Sequence, residues 1–254
     1  RDPEFEEKVS QEMALELNRI ISLEKDSKVL VVGLGNWNIT PDALGPKAVD
    51  RVLVTRHLLE LIPEQVDDRV KSVCAIAPGV LGITGIETGE IINGIVERIK
   101  PDLIIAIDAL AARRADRIGT TIQIADTGIN PGSGIGNKRM GLNEETLGTK
   151  TIAIGVPTVV YAHTIGRDAL QMLVDEFARQ ATPGSQFYKM IQQMNEQQMD
   201  VLVQQVLTQG LGDLVVTPKE VDMLIDHAAA IISDGLNLAL HDDISLEESR
   251  RFLH

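Results

Sequence analysis

The chain holds a single cysteine, Cys74. One thiol excludes an internal disulfide framework and suits a reducing compartment. Aromatic residues are scarce, 3% of the sequence, and bases are outnumbered, with 24 Lys and Arg against 37 Asp and Glu. The resulting net charge of -13 repels phosphate backbones, and no basic stripe is interleaved with aromatics, so no nucleic-acid partner is expected. No apolar run reaches the roughly 18 residues of a membrane span, and the opening RDPEFEEKVS lacks the apolar core of a signal peptide. These absences point to a cytoplasmic protein with no membrane partner. The five histidines, His57, His163, His227, His241 and His254, form no HExxH pattern, and neither a metal nor a cofactor is expected.

What is present is apolar periodicity. Hydrophobic residues make up 44% of the 254, enough for a substantial core. Residues 4–22 place Phe5, Val9, Met13, Leu15, Leu17 and Ile20 near helical spacing, so a first helix is expected there. KVLVVGLG at 28–35 is a Val-rich run ended by glycines, the pattern of a strand buried on both faces. Further strands are expected at 70–77, 102–108, 120–126 and 151–157, with helices at 46–62 and 87–100 between them. Alternating strands and helices imply an α/β fold, a mostly parallel sheet with helices on both faces. From about residue 164 the pattern turns helical, with helices expected at 164–180, 186–208 and 217–241. The last opens TPKE, which reads as a capping box with Thr217 as cap, Pro218 in the first turn and Glu220 returning the bond. Met190, Met194 and Val201 form a helical stripe suited to packing, within the molecule or against another subunit. The whole reads as one α/β domain over 1–254, with 164–254 mainly helical.

Ligands of open parallel sheets bind beyond the carboxyl ends of the strands. Two aspartates stand there: Asp42, in the loop GNWNITPDALGP after the first strand, and Asp108, at the end of the third. If those strands are near neighbours, both carboxyls emerge on one edge. Two close carboxyls do not both ionise cheaply, so one keeps its proton while the other takes a proton from water. Structural roles fit the same residues. Thr40-Pro41-Asp42 also reads as a helix start, with an acid in the positive first turn. Asp108 also reads as an acceptor for the following backbone N–H groups.

Other motifs fail. GLGNWN has Asn38 where a dinucleotide fingerprint needs its third glycine, and GSGIGNK has Asn137 before Lys138 and Arg139 after it, unlike a phosphate loop. Ser133 lacks the flanking glycines of a nucleophile elbow. Cys74 lies in an apolar run and reads as a buried small residue. His163, after the fifth strand, is the one histidine near the expected crevice. The 128–141 loop, with Gly132, Gly134 and Gly136, reads as a lid over substrate.

The stretches VVGLGNWNITPDALGP at 31–46, LVTRHL at 53–58, APGVLGITGIETGEII at 77–92, PDLIIAIDALAARR at 101–114, DTGINPGSGIGNKR at 126–139 and VTPKEVDMLID at 216–226 resemble the germination proteases of spore-forming bacteria. The resemblance implies an endopeptidase that degrades small acid-soluble spore proteins in the spore core during germination. It implies Asp42 and Asp108 as the catalytic pair. Asn36, Thr40, Gly132, Ser133 and Gly134, in the loops around that pair, are the expected substrate contacts. It also implies a self-processing zymogen that assembles as a homotetramer. The family's N-terminal region with its pro-segment is largely outside this sequence, and 161–210 is shorter than the family pattern, with Tyr161 where an aspartate is usual. A similar three-layer sheet occurs in hydrogenase maturation endopeptidases, where matching acids and a histidine hold nickel. A metal-dependent endopeptidase and a non-catalytic peptide-binding protein are therefore the alternative readings.

Overall fold

The Val- and Ile-rich runs form the strands. In order along the chain, the elements are α1 (Pro3–Ile20), β1 (Lys28–Gly33), α2 (Leu44–Val49), α3 (Arg56–Leu61), β2 (Ser72–Ile76), α4 (Leu81–Thr84), α5 (Thr88–Ile99), β3 (Leu103–Ala112), β4 (Gln123–Ala125), α6 (Glu144–Leu147), β5 (Thr151–Tyr161), α7 (Ala162–Gln180), α8 (Glu196–Leu211), β6 (Val215–Val216), α9 (Val221–Leu240) and α10 (Leu246–Arg251). This computed structural model describes residues 2–130, 140–182, 185–186, 196–211 and 214–251.

The strands form a mixed sheet in the order β2-β1-β3-β5-β4, with β6 against β5. β1 runs parallel to both β2 and β3, whereas β4 and β6 are antiparallel to β5. Successive residues of a strand face opposite sides, and here both sides are apolar. Val29, Val31, Leu103, Ile105 and Ile107 pack with Met13, Leu17, Leu44, Ile225, Ile232 and Leu236 from α1, α2 and α9. Leu30, Val32, Ile104 and Ala106 pack with Ile92, Val96 and Leu147 from α5 and α6. The protein is thus an α/β fold with a mostly parallel sheet flanked by helices.

The described chain divides into two compact units. The first holds residues 1–110, 122–156 and 220–254; the second holds 111–121 and 157–219. Within the second, Gly166 of α7 leaves room for Leu207 and Val203 of α8, whose side chains lie 2.8 and 3.2 Å from where a Cβ would stand. Val201, expected on a packing stripe, is 61% exposed. Met190 and Met194 lie outside the described residues.

Several boundaries differ from expectation. The helix expected over 46–62 is two short ones, because the buried Asn237 of α9 takes up the chain between them. Its Oδ1 accepts the Leu53 N–H at 2.8 Å and its Nδ2 donates to the Arg51 carbonyl at 3.2 Å. The expected capping box at 217–220 does not form. α9 starts at Val221 with Glu220 as an N-cap that makes no side-chain cap bond, and the Thr217 hydroxyl turns to the Pro218 carbonyl at 3.3 Å. α9 is long and apolar enough to cross a membrane, yet it is a core helix, with Ile225, Ala229, Ile232, Leu236 and Leu240 all buried.

One buried histidine couples this core to pH. His241 is 3% exposed, its Nδ1 accepts the Lys71 N–H at 3.2 Å, and its Nε2 is buried without a hydrogen-bond partner. Burial, with the Lys71 ammonium adding to it, lowers its pKa to about 4, against the opposing pull of the Leu53 carbonyl and Asp242. A folded-state value below the unfolded 6.5 means the neutral ring stabilises the fold above pH 6.5, and that this is lost as pH falls toward 4. Stability should drop by about 2–3 kcal/mol between pH 7 and pH 4 on account of this residue. Urea midpoints across that range should fall less steeply for His241→Leu; an unchanged slope would place the acid sensitivity elsewhere.

Candidate active site

β1 and β3 are hydrogen-bonded neighbours whose register ends at Gly33 opposite Ile107. Just beyond, the Leu34 N–H donates to the Ile107 carbonyl at 2.8 Å. Asp108 is therefore the first β3 residue past the end of β1. It was expected at the end of its strand, but β3 continues four residues further to Ala112, because ALAA keeps the apolar pattern going. The opening at Asp108 comes from the neighbour stopping. Asp108 is 9% exposed, and its Oδ1 accepts the Ala109 N–H at 2.9 Å. That bond is the structural role foreseen for it.

Asp42 ends a 3-10 turn, Thr40–Asp42, in the loop leaving β1. Thr40 does not cap it; Ile39 holds the cap position and makes no side-chain bond. Main-chain bonds close the turn, with the Asp42 N–H donating to Ile39 at 2.8 Å and its carbonyl accepting from Asn36 at 3.1 Å. Asn36 Oδ1 accepts the Asn38 N–H at 2.9 Å, which sets the corner before the turn.

Glycines press this loop onto the strand ends. Gly35 has φ +113°, and a Cβ on it would lie 2.0 Å from the Asp42 carbonyl oxygen and 3.3 Å from the Asp42 Cγ. A Cβ on Gly45, at the start of α2, would lie 2.3 Å from the Leu34 carbonyl oxygen and 2.6 Å from that of Ile107. Asp42 is thus anchored on the residue next to Asp108 from three residues downstream. The two aspartates belong to one sheet edge and one compact unit.

Asn36 is half-buried and Thr40 exposed on the same loop. Gly132, Ser133 and Gly134 lie outside the described residues, as does most of the expected lid. Its neck is held, since Ile129 and Leu142 exchange N–H to carbonyl bonds of 2.9 and 2.8 Å. Sequence reasoning missed the apolar rim of this edge. Trp37 and Ile39 in the β1 loop are each 50% exposed, and Leu81, Ile83 and Ile86 after β2 are exposed as well. The signal was large apolar residues among Gly, Asn and Thr, where no periodicity explains them.

The remaining candidates fall elsewhere. Cys74 sits in β2 with its thiol toward the Val29 carbonyl, and burial pushes its pKa up, against nucleophilic use. His163 belongs to the second unit, stacked on Tyr161 with ring centroids 5.0 Å apart. Among the described residues no group of three or more His, Cys, Asp or Glu is arranged to hold a metal ion.

Solved structures offer little: the crystal structure of an uncharacterized protein from Wolinella succinogenes covers 53% of this chain and 75% of its own at 20% identity, with a TM-score of 0.26. Sequence comparison is decisive. Residues 1–186 and 180–253 match the model of the germination protease family. The germination protease of Caldanaerobacter subterraneus subsp. tengcongensis is 53% identical over 254 residues, all of this chain and 78% of that protein. That of Clostridium perfringens strain SM101 is 51% identical over 248 residues, 98% of this chain and 76% of that protein. That of Bacillus subtilis is 45% identical over 286 aligned positions, again all of this chain and 78% of that protein. On these matches the chain is a peptidase and belongs to the germination protease family.

Proposed function

We propose that this chain is an endopeptidase of the spore core that hydrolyses small acid-soluble spore proteins during germination, with Asp42 and Asp108 activating the attacking water between them. The observation that carries this reading is the contact of Gly45 with Leu34 and Ile107, which seats the Asp42 loop against the residue preceding Asp108. With one proton shared by the pair, the ionised carboxylate accepts a proton from water while the protonated one polarises the scissile carbonyl. Asn36 and Thr40 flank the pair as contacts for the peptide backbone, and Gly132, Ser133 and Gly134 complete that set. The sheet is of the kind found in hydrogenase maturation endopeptidases, and the working enzyme is a homotetramer with peptide chains, not nucleic acid or membranes, as partners.

The test is cleavage of a purified acid-soluble spore protein with and without exhaustive chelation. Unchanged turnover after chelation is expected; loss restored by a transition metal would turn the same acids into metal ligands. A second measurement uses Trp37, the chain's only tryptophan. Half exposed on the loop that carries Asp42, it should become shielded when peptide binds. Acrylamide quenching of its fluorescence in an Asp108→Asn chain should fall by about half or more on adding the spore protein, since a ring in a peptide contact loses its solvent access. Unaltered quenching at saturating substrate would place the peptide elsewhere.

A further inference from the structure

We propose that Gly35 and Gly45 are positioning residues that set the separation of Asp42 and Asp108, and through it the pH window of the enzyme. The inference rests on the two-aspartate reading above and adds to it the elements that fix the gap. Gly45 is buried, and the three atoms nearest its missing Cβ are all main chain: the Leu34 oxygen at 2.3 Å, the Leu34 nitrogen at 2.5 Å and the Ile107 oxygen at 2.6 Å. Backbone cannot swing aside as a side chain does. The same Leu34 N–H and Ile107 carbonyl form the last bond between the β1 and β3 chains. Gly33, opposite Ile107, closes the contact from beneath, for a Cβ there would lie 2.3 Å from the Gly45 carbonyl oxygen. Gly35 acts on Asp42 directly, with its absent Cβ 2.0 Å from the Asp42 carbonyl oxygen. The loop is therefore clamped on both sides of Asp42, downstream against the residue before Asp108 and upstream against Asp42 itself.

The functional consequence follows from coupled titration. A carboxyl pair that works in its singly protonated form is active between its two macroscopic pKa values, and the closer the carboxyls, the further apart those values lie. A methyl on Gly45 lifts the loop from Ile107, parts the carboxyls and lets the two values converge. A methyl on Gly35 moves Asp42 off its seat and displaces one limb of the profile.

The test is the pH dependence of kcat and KM for the full chain acting on a purified acid-soluble spore protein. It compares wild type, Gly45→Ala, Gly35→Ala, Asp42→Asn, Asp108→Asn and a control, Gly148→Ala. Gly148 has φ +65° with nothing within 4 Å of an added Cβ, so its substitution strains the backbone as at Gly35 without the clash. Gly45→Ala is expected to lower peak kcat by about 30-fold or more, on the scale of a 1 Å misplacement, and to narrow the bell by roughly one pH unit, with KM within about threefold. Gly35→Ala should shift one limb by at least about half a unit, and Gly148→Ala should match wild type. Gly35 is half-buried whereas Gly45 is buried, so its variant carries the test if Gly45→Ala does not accumulate folded. Profiles of unchanged shape in the glycine variants, with both aspartate variants inactive, would overturn this inference alone. Active aspartate variants would overturn the dyad and this inference with it.

Discussion

Asp42→Asn and Asp108→Asn are each expected to lose at least about 10³-fold in kcat on a spore-protein substrate while remaining folded, within the range that general acid–base groups supply. Asparagine neither takes a proton from water nor gives one to a leaving amine, yet it preserves size and an acceptor oxygen. At Asp108 the bond from the Ala109 N–H at 2.9 Å survives, because the amide oxygen still accepts it. At Asp42 the turn is held by main-chain bonds to Ile39 and Asn36, which the substitution leaves in place. Stability should therefore change by no more than about 1 kcal/mol, since asparagine keeps the size and an acceptor oxygen of aspartate. The double variant is expected to be no slower than either single one, since residues acting as one unit are not additive. Circular dichroism and a urea midpoint establish folding, and cleavage is followed by gel and mass spectrometry. A folded single variant cutting at near wild-type rate would remove that aspartate from the chemistry.

The choice of these two residues was open to sequence reasoning because their strands are buried on both faces. Runs such as KVLVV and LIIAI announce a parallel sheet, and a parallel sheet announces which edge matters. The extent of each strand was less legible. Asp108 seemed to end β3 because an acid closes an apolar run, yet the strand continues to Ala112 and the opening arises where β1 stops. That is a property of the neighbour's length, which no local pattern encodes. The same holds for Gly45: ALGP reads as an ordinary helix start until Leu34 and Ile107 are found against it. Gly33 and Gly35 invited comparison with a nucleotide fingerprint, whereas their use is to let one loop lie on a strand end. Composition showed the chain to be acidic and poor in aromatics, but not that its one tryptophan stands half exposed on the loop that carries Asp42.

The largest effect on stability is expected at a residue far from that edge, for the reason that misled the reading of residues 46–62. A helix was expected through the whole segment, but α2 ends at Val49 and α3 begins only at Arg56. The intervening chain hands two main-chain groups to Asn237, which is fully buried in α9. Its amide serves as donor to the Arg51 carbonyl and acceptor for the Leu53 N–H, and Leu53 itself is 6% exposed. Asn237→Ala would leave the buried Leu53 N–H unsatisfied away from water, at about 1–3 kcal/mol, and take its partner from the part-buried Arg51 carbonyl at a smaller cost, for a total near about 3 kcal/mol. For a chain of this size that corresponds to a fall in Tm of roughly 6–12 °C. Asn237→Asp keeps the acceptor for Leu53 but sets a carboxylate against the Arg51 carbonyl, so it should be destabilised at neutral pH and recover part of the loss as the acid protonates. Asn237→Leu fills the volume and satisfies neither group, so it should resemble alanine. If Asn237→Leu were instead as stable as wild type, the two bonds would be incidental and packing alone would hold the 50–55 segment against α9. Because α2 carries Gly45 and leads directly into this segment, the same substitution should lower kcat even at temperatures where the chain stays folded. A loss of stability with no loss of kcat would separate the clamp on the helix from the clamp on Asp42.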